Sequence, residues 1–185
     1  MRGFIRSRNM IPLTWICFGS LALIFSPWGS VPAPYLDLGL PGPLVPLRTI
    51  GVVAVGYLPL LALAPETRIP DMSSARSTWL LQSLAPTVLT LVAATAAAAG
   101  ATIAGVDALA AVRNLLLGTA VAASLYRAMG PLSFVPPVLG ALLCAALREQ
   151  HAWWSITNQQ GTVASFLVAL GLAAVSLQFG AMRRT

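Results

Sequence analysis

Lysine is absent from this chain, histidine occurs once, cysteine twice, and only five residues are acidic. Each shortage removes a class of chemistry. The P-loop that cradles ATP phosphates needs its lysine, so this chain cannot hold ATP in that way. A zinc site needs several ligands brought together, and His151 is far in sequence from Cys17 and Cys144, which share no CxxC spacing. Both cysteines fall in apolar runs and read as small buried hydrophobes. An intramembrane serine protease would need a histidine at membrane depth, whereas His151 lies in a polar stretch. The acids Asp37, Glu66, Asp71, Asp107 and Glu149 lie between apolar runs or at their ends. That weakens a proton- or sodium-coupled carrier, which usually keeps a carboxylate inside the bilayer. No acid, base or nucleophile stands where a buried site could use it. The chain is therefore not expected to be an enzyme, and no cofactor or metal is expected on it.

Charge of any kind is scarce. Charged residues make up 9% of the 185 positions and hydrophobic ones 57%, with a mean hydropathy of +0.81. A soluble domain carries roughly 25% charged residues. A chain this poor in charge cannot clothe a water-facing surface. The net charge of +6 is carried entirely by arginine. A pI near 10.7 invites a nucleic-acid reading, but the arginines are scattered and flank apolar runs, as they do beside an anionic inner leaflet. No nucleic-acid partner is expected; the bilayer is.

Six apolar stretches fill most of the sequence, at about 11–28, 50–65, 78–104, 108–126, 131–147 and 162–182. A membrane helix needs about 20 residues, so six of them leave only short connections and one domain, 1–185. Continuous apolar runs satisfy their own backbone in lipid only as helices, and the alternation of a membrane barrel is absent. The expected fold is an all-α, polytopic bundle of six transmembrane helices. The fourth is centred on Asn114–Tyr126 with a start drawn back to Ala108, and the spans are read as free of charge, with Arg113 in the connection before Asn114.

With the N-terminus inside, the cytoplasmic segments hold Arg2, Arg6, Arg8, Arg68, Arg76, Arg127, Arg183 and Arg184, and the outer ones Arg48, Arg113 and Arg148. Eight arginines against three is a positive-inside bias that puts both termini in the cytoplasm of a plasma-membrane protein. The first run resembles a secretion signal, but Val31-Pro32-Ala33 is followed by Pro34, which disfavours cleavage, so a retained helix is expected. Trp28, Tyr35, Trp79, Tyr126, Trp153 and Trp154 fall at span ends, where amphipathic rings favour the headgroup level. The proline-rich segment Gly29–Leu47 should be stiff and folded onto the outer surface.

Within the spans, Ala93, Ala97, Ala101 and Gly105 recur every fourth residue and form a helix-packing face, either inside the bundle or against another subunit. Pro86 removes a donor from the carbonyl of Gln82 and should kink the third helix. Pro136 and Pro137 should shorten, break or bend the fifth, although double prolines also occur near helix starts. Gln82, Pro86, Pro136 and Pro137 are thus candidates for lining a path, as broken helices do in transporters, or for plain bends in a packed bundle.

Three short motifs carry a family resemblance. Arg113-Asn114-Leu115-Leu116-Leu117-Gly118 opens the fourth helix, Phe134-Val135-Pro136 opens the fifth, and Ala152-Trp153-Trp154 precedes the sixth. With the six-helix layout, these resemble the membrane subunit of type-2 ABC exporters, in particular permease-like proteins of actinobacteria. The resemblance implies two such subunits, copies or homologues, around a central path, with separate P-loop ATPases docked below and ATP bound there. It implies that the loop holding Glu66, Arg68, Asp71 and Arg76 docks the ATPase, where the residues alone read equally as a solvated turn. It implies an outer gate at Arg148, Glu149, His151, Trp153 and Trp154. The short segment Met1–Met10 departs from the family's amphipathic first helix. The function expected is export of a hydrophobic or amphiphilic compound, such as a peptide antibiotic. Two alternatives stay open: a substrate-binding membrane subunit of an energy-coupling importer, and a non-transporting immunity or scaffold protein.

Overall fold

In a computed structural model of the chain, residues 10–32, 45–63, 78–146 and 160–181 are described. Over these the protein is all-helical, with α1 at Met10–Ile24, α2 at Leu47–Val55, α3 at Thr78–Ile103, α4 at Ala108–Met129, α5 at Val135–Ala146 and α6 at Val163–Ala181. Short 3-10 segments occupy Pro27–Ser30, Leu58–Leu63 and Gly130–Phe134. The only pairing of extended backbone among the described residues is an isolated bridge between Pro32 and Pro46. There the Leu47 N–H donates to the Val31 carbonyl at 2.8 Å, which pins the two ends of the proline-rich segment together. The interior of that segment, 33–44, lies outside the described residues.

Among the described residues, two stretches are long and apolar enough to cross a membrane: Leu84–Ile103, mean hydropathy 1.7, and Ala108–Tyr126, mean hydropathy 1.6. Four shorter apolar stretches, Met10–Ile24, Leu47–Ala62, Gly130–Ala145 and Val163–Gln178, accompany them. Their lengths follow from local chemistry. Pro27 stops α1 early. Pro59 cannot donate to the Val55 carbonyl, so α2 gives way to a 3-10 turn after Val55 rather than running on to residue 65. Of the two readings of Pro136 and Pro137, a break in the helix or a helix start, the structure has the second. Both prolines occupy the first turn of α5, where a missing N–H costs nothing, and the residues before them form the 3-10 segment. The discontinuity lies in α2 instead.

The third helix runs without interruption through Pro86. It ends in a Schellman turn: Gly105 donates to the Thr102 carbonyl at 3.2 Å and Val106 to that of Ala101 at 2.9 Å. Gly105 adopts φ +66, a left-handed conformation open to glycine without strain. It therefore leaves the line of small residues on α3 and makes a turn, contrary to its expected place on a helix-packing face. Its three companions remain on α3: Ala93, Ala97 and Ala101 are fully buried. Ala93 and Ala97 pack against Cys17 and Leu21 of α1, Val52 and Val55 of α2, and Leu115 of α4.

Helix α4 is the hub, packing against α2, α3, α5 and α6, while α1 leans on α2 and α3. Small residues permit this. A Cβ at Gly118 would collide with the Val53 carbonyl oxygen, and one at Gly56 with the backbone of Leu115 and Thr119. The Thr119 hydroxyl donates across this crossing to the Gly56 carbonyl at 2.8 Å, supplying the partner that the broken α2 no longer provides. On its other side α4 meets α6 through Leu116 and Ala120 against Ala169 and Ala173, and Ser124 and Ser176 share a 3.0 Å hydrogen bond. Replacing Gly118 by Leu should abolish a monodisperse protein in size-exclusion chromatography. Gly140→Ala, where an added methyl meets nothing within 4 Å, should leave the elution profile and melting temperature unchanged or raise the latter.

Candidate functional site

Polar groups gather at one end of the bundle, where α1 exits, α2 and α6 begin, and the α3–α4 turn closes. Asp107 is the centre. Its Oδ1 accepts the backbone N–H of Leu109 at 2.8 Å and of Ala110 at 3.2 Å, the geometry of a helix N-cap. Its Oδ2 accepts the N–H of Gly161 at 2.8 Å. One carboxylate thus caps α4 and fastens the entry to α6. Gly161 lies so close to α4 that a Cβ there would collide with the Ala110 nitrogen. The next residues cap α6 reciprocally: Ser165 N–H donates to Thr162 Oγ1 at 3.2 Å, and Thr162 N–H to Ser165 Oγ at 3.3 Å.

Arg113 lies beneath this cap. The expectation of a loop arginine, and of spans free of charge, is corrected here: Arg113 is within α4, and no part of it is exposed. Capping at Asp107 starts the helix at Ala108, which places Arg113 in the second turn rather than ahead of it. Its Nε and one terminal nitrogen donate to Asn114 Oδ1 at 3.1 and 3.0 Å, and the other reaches the Gln160 carbonyl at 3.3 Å. Burying a cation requires such partners. The signal was available in sequence, as an Asp immediately before an apolar run is a helix start.

Two cavities flank the Arg113–Asn114 pair. One, of about 280 Å³, opens at the bundle end among Phe25, Arg48, Thr49, Val106, Asp107 and Asn114. The other, of about 400 Å³, runs along the side between α2, α4, α5 and α6. Val53, Gly118, Pro137 and Ser165 lie at its buried wall with Arg113, and Val121, Val168 and Leu172 form an exposed rim. A third groove, of about 410 Å³, lies between α1 and α2 and is lined by Leu23, Ile24, Trp28, Arg48, Ile50 and Ala54.

The residues singled out from sequence divide between these places. Pro136 and Pro137 line the lateral groove, with Cys144 beside them. Pro86 is fully buried in α3, its carbonyl accepting the Thr90 hydroxyl at 2.7 Å. Gln82 lies in the same helix, one turn earlier. The loop of Glu66, Arg68, Asp71 and Arg76, and the segment of Arg148, Glu149, His151, Trp153 and Trp154, lie outside the described residues. No cluster of three metal-ligating side chains occurs among the described residues. Comparison with protein-family models, curated proteins and solved structures finds no match for this chain.

Partial burial alone would raise the Asp107 carboxyl. The N–H donors of Gly161, Ala110 and Leu109, with the Arg113 cation, outweigh it and hold its pKa below the ordinary carboxylate value. A carboxylate with a depressed folded pKa contributes stability above its unfolded pKa, about 4, and loses it as pH falls through the folded value. Melting curves in detergent should therefore show the wild type losing stability below about pH 4 more steeply than Asp107→Asn, which cannot titrate there. At neutral pH, Asp107→Ala should cost about 1 kcal/mol for the lost cap, read as a lower melting temperature. Arg113→Ala should lower it further, because the Asn114 and Gln160 acceptors lose their buried donor.

Proposed function

We propose that this chain is a multi-pass protein of the plasma membrane, with its six helices in the bilayer and both termini in the cytoplasm. In this reading it is the membrane-spanning permease subunit of an ABC-type exporter that moves a hydrophobic or amphiphilic compound. ATP is hydrolysed on a separate chain. The observation that carries the bilayer reading is the outer surface. Trp15 and Leu23 on α1, Leu91 on α3, Leu143 on α5, and Leu167 and Val175 on α6 are all more than half exposed. A protein in water rarely presents apolar area on every side; in lipid such a surface is solvated. The shorter helices fit a bilayer that thins locally or is met by flanking residues.

The lateral groove supports an amphiphilic cargo. Its 400 Å³ or so falls in the usual range for small-molecule sites, its walls are aliphatic and proline-lined, and the positive charge of Arg113 is buried behind one end. Alternation between inward- and outward-facing arrangements would come from partner binding energy acting on a helix pair. A second reading, a substrate-binding subunit of an energy-coupling importer, draws support from one feature: four helices of a single chain suffice to build the groove.

A mild-detergent pull-down followed by mass spectrometry tests the proposal. Co-purification of a P-loop ATPase with two copies of this chain, or one copy and a homologue, is expected. One copy with a separate transducer protein would favour the importer, and a chain consistently alone would remove both. Reversing Arg68 and Arg76 to Glu should uncouple transport-linked ATP turnover in the complex; unchanged turnover would exclude that loop as the docking site.

A further inference from the structure

Arg48 stands between two cavities of opposite character. On one side is the bundle-end cavity, which it shares with Thr49, Asp107 and Asn114. On the other is the groove between α1 and α2, where among the described residues it is the one charged lining residue and the rest are Trp28, glycines and aliphatic side chains. Arg48 is half-buried, and among the described residues it has no hydrogen bond or ion pair. It lies in the first turn of α2, and the groove follows that helix from Leu47 to Ala54, about 10 Å at 1.5 Å per residue. Trp28, 75% exposed, marks the same end, and tryptophan favours the headgroup level of a bilayer.

We infer that this pair of cavities binds one phospholipid with a zwitterionic headgroup bearing a primary ammonium. One acyl chain lies in the α1–α2 groove against Leu23, Ile50 and Ala54. The phosphate meets the Arg48 guanidinium, which donates charge-assisted hydrogen bonds to phosphate oxygens. The ammonium enters the bundle-end cavity, where the Asp107 carboxylate faces it and the Asn114 amide and Thr49 hydroxyl offer further polar contacts. Charge complementarity selects the occupant: the cavity presents one cation and one carboxylate, which match a phosphate and an ammonium on one headgroup. Phosphatidylglycerol brings the same phosphate but only neutral hydroxyls to Asp107, so it leaves the carboxylate without a counter-charge, and a quaternary ammonium has no N–H to donate to it. The inference rests on the bilayer reading above, and it is independent of what, if anything, the protein transports.

Native mass spectrometry of the purified full chain tests this. The protein is exchanged into nanodiscs holding equal parts phosphatidylethanolamine, phosphatidylglycerol and phosphatidylcholine, and the retained lipid is counted. Phosphatidylethanolamine should dominate the retained fraction. Arg48→Gln should lower retention of phospholipid roughly tenfold, the scale of losing a hydrogen bond to a charged group. Asp107→Asn keeps an oxygen to cap α4 but loses the acceptor for Gly161, so its melting temperature is recorded beside its lipid content; the folded variant should retain phosphatidylglycerol as readily as phosphatidylethanolamine. Ala54→Phe, which fills the groove without touching the headgroup contacts, should lower retention of all three. Equal retention of the three lipids by the wild type, or retention unchanged in Arg48→Gln, overturns the inference. Carbonate washing separates the two failures. A chain that leaves the membrane ends the bilayer reading, and one that stays there but does not discriminate among lipids ends only this site.

Discussion

The backbone-to-backbone crossing of α2 and α4 organises the rest of the molecule. Gly118 presses on the Val53 carbonyl and Gly56 on Leu115 and Thr119, with no room for a methyl on either side. Where two backbones approach this closely, packing and hydrogen bonds hold the helices together. Thr119 supplies that hydrogen bond at the crossing, to the carbonyl freed where α2 stops being α-helical. Tight approach at one point lets α4 sit in the middle, and a middle helix with small residues on several sides gives α3, α5 and α6 surfaces to pack against. The alanines of α3 and of α6 follow the same rule at lower stringency.

A second constraint acts at the end of the bundle. Arginine in the second turn of a buried helix is costly unless its donors are met. Asn114, the Gln160 carbonyl and the charge of Asp107 meet them, and the same aspartate caps α4 and holds Gly161. Helix start, chain entry to α6 and neutralisation of Arg113 are therefore a single arrangement. Around it the cavities differ in character because Arg48, Asp107 and Asn114 face one side while aliphatic residues of α1, α2, α5 and α6 face the other.

Much of the helical layout was legible. The third and sixth helices begin and end within a residue of the apolar runs that define them, because hydropathy and capping agree there: a Schellman glycine at 105, a threonine–serine cap at 162–165. The effect of a proline depends on its position within the helix. Pro136 and Pro137 look disruptive as a pair, yet in a first turn they have no intrahelical partner to lose, whereas Pro59, which attracted no notice, ends an α-helix because its position calls for a donor. The polar site was less legible. Arg113 looked like a loop residue because a charge inside an apolar run is most simply read as its boundary. Asp107, six residues before, decides otherwise.

Sequence alone determined that this chain is helical and poor in charge, because those properties follow from composition and the length of apolar runs. It also determined the inventory of side chains, with no lysine and one histidine, since folding cannot supply a residue type. Tertiary structure decided where the helices break, that an arginine is buried at a helix start, and that Arg48 and Asp107 share a cavity. These depend on which backbones approach within contact distance, and sequence spacing along a single chain does not encode how separate helices come together.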